Sequence, residues 1–125
     1  MKDFYVCGVC GNVVEKIKDS GVPVICCGQP MNKMEIQSTD STNEKHVPLI
    51  EVDGTKVKVT VGSTLHPMTK EHHISMIVLE TDNDMKRQFL DHEGEPVAYF
   101  NVCEGEKVLR AYELCNIHGL WKSEE

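Results

Sequence analysis

The sequence predicts an all-β chain in two parts, a small metal-knuckle domain followed by a β-sandwich. Three observations predict it. Four cysteines are concentrated before residue 28, a polar stretch without large apolar residues follows at 37–43, and six or more short runs with strand character then alternate with turn-formers. No part of the second half repeats apolar residues at helical spacing. The expected divisions are 1–36 for the knuckle domain, 37–43 for a linker and 44–125 for the sandwich.

In the first part, Cys7-Gly8-Val9-Cys10-Gly11-Asn12 pairs two thiols three positions apart, and Cys26-Cys27-Gly28 supplies an adjacent pair. Each reads as a tight turn, with glycine relieving backbone strain and N–H groups aimed at sulfur. Val13 to Ile17 reads as a short strand and Gly21-Val22-Pro23 as the turn leading back. Four thiolates in this pattern make a tetrahedral site suited to iron or zinc. A segment of this size buries too little surface to fold unaided, so a metal staple is expected. A purely structural zinc is the bland alternative, and a Cys26–Cys27 disulfide a strained one.

In the second part, Leu49 to Val52 runs into Asp53-Gly54, a strong hairpin signal, and Thr55 to Val61 alternates polar and apolar. His73–Thr81, Met85–Leu90, Val97–Val102 and Lys107–Leu114 are the next strands, separated by Asp82-Asn83, Glu93-Gly94-Glu95-Pro96 and Glu104-Gly105. Cys103, at a strand end, reads as a small buried apolar residue. Tyr99, Phe100, Tyr112 and Trp121 read as core or rim packing.

A net charge of −7 argues against nucleic acid and against an anionic membrane surface as partners. No apolar run is long enough to span a bilayer, and the Met-Lys-Asp start has no apolar signal region. Cytoplasmic residence is the default expectation, and there six cysteines read as metal ligands before disulfides.

A second ligand set lies in the predicted turns. His46 precedes the first sandwich strand, His66 and His72 bound one loop, and Cys115 and His118 share a C-terminal turn ending in Gly119. Loops at one end of a sandwich converge, so these five can meet on one ion. His92, in an acidic turn, reads as a surface residue. His73 follows His72 directly, and in a strand its side chain points to the opposite face.

The C-x-x-C-G and C-C-G arrangement resembles the desulforedoxin-like domain, a relative of rubredoxin in which one iron is held by four cysteines and modules often pair as dimers. Glu44-Lys45-His46-Val47-Pro48, His66-Pro67-Met68 with His72, and Cys115-Asn116-Ile117-His118-Gly119-Leu120-Trp121-Lys122 resemble the three motifs of superoxide reductases. Together the two parts are similar to desulfoferrodoxins, the two-iron form. The resemblance covers essentially the whole chain. It implies a rubredoxin-like knuckle domain and an immunoglobulin-like β-sandwich, with one iron at Cys7, Cys10, Cys26 and Cys27, where zinc is the alternative occupant. A second iron is implied with His46, His66, His72 and His118 in a plane, Cys115 axial and a sixth position open. The implied activity is one-electron reduction of superoxide to hydrogen peroxide, without dismutation to oxygen. A rubredoxin-like electron donor and a homodimer go with it. Lys45 and Glu44, ordinary surface charges by themselves, acquire roles from the motif: Lys45 draws in the anion and holds a proton-donating water, and Glu44 closes the sixth position of the oxidised iron. Two departures concern packing: His73 stands where an aromatic is frequent, and Met76 where tryptophan is.

Two other readings compete. An electron carrier needs only the four-cysteine iron, and a structural or storage protein needs only zinc at both sites.

Overall fold

The computed structural model describes residues 4–38, 46–62 and 66–123. Glu44 and Lys45 lie outside the described residues. Every regular element is a strand: β1 Phe4–Val6, β2 Val13–Glu15, β3 Ile25–Cys26, β4 Gln29–Pro30, β5 Asn32–Lys33, β6 Ile36–Gln37, β7 Pro48–Asp53, β8 Lys56–Val61, β9 Ile74–Thr81, β10 Met85–Phe89, β11 Val97–Asn101, β12 Val108–Cys115 and β13 Gly119–Lys122. Among the described residues no helix is long and apolar enough to cross a membrane. The chain divides into two compact units, Met1–Glu35 and Ile36–Glu125.

The first unit has a three-stranded sheet in the order β2-β1-β5 and a two-stranded hairpin of β3 and β4. Its strands are two or three residues long, too short to be stable without the turns between them. Phe4, Cys7 and Met31 are its buried side chains, while Val9, Ile17, Val22 and Ile25 are all more than half exposed.

The second unit is a sandwich of a five-stranded sheet, β10-β9-β12-β13-β6, and a three-stranded sheet, β11-β8-β7. Alternation puts Val57, Val59 and Val61 of β8 on the inner face, with Ala98 and Phe100 of β11. Ile74, Ile77, Leu79, Ala111 and Cys115 meet them from the other sheet. The β7–β8 hairpin turns through Gly54 at φ +63°, so the two-residue loop is Gly54-Thr55, one position later than the Asp-Gly signal suggests.

The sheets position the metal-ligating candidates through one irregularity. Strands β9 and β12 pair antiparallel, but Leu114 faces Met76 while Cys115 faces Ile74, leaving Ser75 as an extra residue on β9. The bulge lets Ile74 and Ile77, three apart, both point inward, and it brings the start of β9 level with Cys115.

Two expectations need correction. Cys103 is exposed, not buried. Strand β11 ends at Asn101, Val102 takes the last inward position, and Cys103 opens a turn in which its N–H bonds Glu106 Oε1 at 2.8 Å and its carbonyl accepts from Glu106 N at 3.0 Å. Gln37, assigned to the linker, belongs to β6, which pairs in parallel with β13 through Leu120↔Ile36 and Trp121↔Gln37.

The core also holds a carboxyl. Glu113 on β12 is fully buried, with neither oxygen hydrogen-bonded among the described residues. Burial pushes it up to about 9 from an ordinary 4.5. Between those values the unfolded chain loses a proton that the folded one keeps, so stability falls as pH rises, by at most about 1.4 kcal/mol per pH unit. Glu113→Gln is neutral at every pH and removes that slope. Urea unfolding of both proteins from pH 5 to 8 should show the variant's advantage growing with pH; a constant difference would mean that Glu113 has a partner in the folded state.

Candidate metal centres

The first centre is built by two turns. Cys7 Sγ accepts the N–H groups of Val9 and Cys10, each at 3.4 Å, while Cys7 N bonds Asn12 O at 2.8 Å and Gly11 N bonds Cys7 O at 3.0 Å. Gly11 and Gly28 take φ +82° and +76°, and Cys27 takes φ +53°, a left-handed conformation uncommon for a residue with a side chain. The four sulfurs all lie within 4.8 Å of one another, with Cys10 and Cys26 Sγ 3.6 Å apart. All six cysteines of the chain are free thiols, Cys26 and Cys27 included.

The acidities show what this crowd lacks. Backbone N–H groups of Cys10 and Val9 bring Cys7 down to about 6. Thiol neighbours Cys10, Cys7 and Cys26 push Cys27 up to about 12, and those of Cys7 and Cys10 push Cys26 up. The Cys7 thiolate is therefore favoured while Cys26 and Cys27 resist ionising beside it, a cost that a bound cation offsets. The donor set fits a tetrahedral soft-to-borderline metal.

At the second centre, His46, His66, His72, Cys115 and His118 present ligand atoms all within 4.8 Å of one another. His46, His66 and Cys115 are buried, His72 is half-buried and His118 exposed, so one side of the cluster reaches solvent. His46 Nε2 lies 3.0 Å from His118 Nδ1, and Cys115 Sγ 3.5 Å from His66 Nε2. His66 Nδ1 donates to Pro67 O at 2.8 Å, which leaves Nε2 as the lone-pair nitrogen facing Cys115. Burial, reinforced by the neighbouring imidazoles and opposed by the Pro67 carbonyl, lowers His66 to about 4. It is therefore neutral near pH 7, the form that binds metals. Burial raises the Cys115 thiol, with Glu113 adding to the effect and the N–H groups of His118 and Ile117 opposing it.

Each ligand candidate is held by its own surroundings. Thr69 Oγ1 accepts His72 N at 3.1 Å and donates to His72 O at 3.2 Å, closing the loop that presents His72. Trp121 stacks on His46 with ring centroids 4.6 Å apart and 15° between planes, and its Nε1 donates to His118 O at 3.2 Å. Gln37 Nε2 donates to the same carbonyl at 2.8 Å. Gly119 turns at φ +88°, and a Cβ there would sit 3.3 Å from Gln37 Nε2. His73 stands apart from the five; its Nδ1 bonds Thr69 O at 2.9 Å and its ring lies 5.8 Å from that of His92.

The sequence reading singled out the ligand candidates but gave no role to Gln37, Thr69 or Asn116. Gln37 and Asn116 bond backbone atoms of distant segments, and Thr69 bonds the backbone of its own loop, contacts for which a sequence carries no spacing signal. Trp121 is packed against His46, within the rim role assigned to it, and also touches the His118 turn.

Comparison with known proteins agrees with the architecture. The desulfoferrodoxin family matches residues 38–124, and the desulfoferrodoxin N-terminal domain matches residues 1–34. A desulfoferrodoxin homologue of Archaeoglobus fulgidus is 48% identical over 119 residues, covering 95% of this chain and 94% of the relative. The desulfoferrodoxin of Nitratidesulfovibrio vulgaris is 42% identical over 98% of this chain and 95% of its own length. Among solved structures, the superoxide reductase of Treponema pallidum superposes with a TM-score of 0.85 at 32% identity, covering 99% of this chain and 98% of that one. With matches spanning both units and nearly the full length, the chain belongs to the desulfoferrodoxin family.

Proposed function

We propose that this chain is a superoxide reductase that carries two irons. The observation that carries the reading is the convergence of four imidazoles and one thiolate within 4.8 Å, open to solvent on the His118 side. A structural metal needs a closed tetrahedral shell, whereas five donors beside an open face leave room for a small substrate. Iron held there by His46, His66, His72, Cys115 and His118 would supply the one electron that, with two protons, turns superoxide into hydrogen peroxide.

The chain's own residues have distinct tasks in that reaction. His46, His66, His72 and His118 would give neutral nitrogen donors suited to the ferrous state, and Cys115 would give a thiolate that raises electron density on the metal. Lys45 offsets the net charge of −7 where the anion enters and positions a water that donates a proton. Glu44 would be the carboxylate ligand of the oxidised iron. Cys7, Cys10, Cys26 and Cys27 hold the first iron, or zinc in its place, and a rubredoxin-like protein supplies electrons. The chain works as a homodimer paired through its N-terminal modules. The electron-carrier reading gives the five-donor cluster no task, and the zinc reading gives it no chemistry.

Protein from iron-replete cells should carry two irons per chain and gain a thiolate-to-iron absorption when a mild oxidant is added. Zinc at the second centre, with no such band after reconstitution with Fe(II), would move the assignment to a carrier or structural protein. Lys45→Ala should slow the reaction with superoxide by about tenfold and weaken its dependence on ionic strength. An unchanged rate and salt slope in rapid-mixing kinetics would remove Lys45 from the mechanism. His118→Ala should cost the second iron more than the ~10–100-fold that loss of an outer hydrogen-bond partner costs; full retention on metal analysis would contradict its role as a ligand.

A further inference from the structure

We propose that Asn116, outside the ligand set, is a positioning residue that clasps the loop carrying His72 to the turn carrying Cys115 and His118. Its Oδ1 accepts the His73 N–H at 2.8 Å, and its Nδ2 donates to Glu71 O at 3.0 Å. Its own N–H donates to His73 O at 3.1 Å. The two side-chain bonds land on the residues immediately before and after His72. The residue making them directly follows Cys115 and stands two before His118. One side chain therefore fixes three of the five donors relative to one another.

The need for a clasp follows from where the sheet stops. Strand pairing between β9 and β12 ends at Ile74 and Cys115, so His72 and His118 both lie beyond the ladder. Beyond the ladder, the backbone bond from Asn116 N to His73 O is a single tie from turn to loop, and without the side chain the ion's binding would have to order the rest of both. An amide meets the geometry because it offers an acceptor and a donor on one planar group. Outer contacts of this kind set the geometry and hold of a metal site before the metal arrives. The inference rests on the reading of the five residues as ligands of the second iron.

The test compares the full-length, iron-loaded wild type with Asn116→Ala, Asn116→Asp and Val59→Ala, the last a cavity in the sandwich core at a residue outside the ligand set. Three quantities are read: transfer of iron from the second centre to a ferrous chelator, the energy of the thiolate-to-iron absorption after oxidation, and hydrogen exchange at the His73 amide. Asn116→Ala should release iron at least about tenfold faster, shift the absorption and expose the His73 amide. Asn116→Asp keeps the acceptor for His73 N–H and should fall between it and the wild type. Val59→Ala should lower the unfolding temperature while leaving all three quantities unchanged. Wild-type iron release and band energy in Asn116→Ala overturn the proposal, as does equal release from Val59→Ala. A wild type that takes up no second iron overturns the ligand reading instead; amide exchange at His73 then decides the clasp, and unchanged protection in Asn116→Ala refutes it.

Discussion

The pairing of β9 with β12 is the constraint on which the second centre depends. Both strands lie inside the five-stranded sheet, and their side chains supply nearly half of the sandwich core. Because a sheet alternates faces at every residue, their register decides whether Cys115 points between the sheets or away from them. The extra residue at Ser75 keeps Ile74 inward, opposite Cys115, and directs the chain before β9 into the loop that carries His72. Hydrophobic burial of Ile74, Ile77 and Leu79 thus sets the placement of a polar cluster at the end of the same strands.

Both centres hold thiols that resist ionising by themselves. At the four-cysteine centre, backbone N–H groups favour the Cys7 thiolate, while the neighbouring thiols disfavour those of Cys26 and Cys27. At the five-donor centre, burial keeps His66 neutral and disfavours the Cys115 thiolate. The fold holds these groups together at some electrostatic cost, which a bound cation offsets, so metal affinity and folding stability are coupled in each unit. The first unit, with two- and three-residue strands and several exposed aliphatic side chains, has little else to hold it.

Much of the sandwich was legible because its signals are local. The alternation in Lys56–Val61, the β-branched run before Thr81 and the Gly-containing turns each place a strand within a residue or two of where it lies. Strands β3 to β6 were not legible, since two residues carry no period and such strands exist only through their partners. Strand β13 was hidden for a different reason. Its residues, Gly119 to Lys122, follow the Cys115–His118 motif so closely that the whole segment reads as a turn. The misplacement of Cys103 came from extending β11 by one pleat too many. Glu113 gave no signal either: in a strand between two others, position alone does not tell whether a charged residue points outward.

The parallel pairing of β6 with β13 alters where the chain can be divided. The polar stretch after Ile36 invites a boundary between 38 and 43, yet Ile36 and Gln37 already belong to the large sheet, and Gln37 donates to the carbonyl of His118. A shortened protein cut in that stretch would lose an edge strand and one of the two donors on a ligand-bearing turn. Cut before Ile36, it keeps both. The modular seam of this chain therefore lies upstream of its most polar segment, and any recombination that swaps the N-terminal module must carry these two residues with the sandwich.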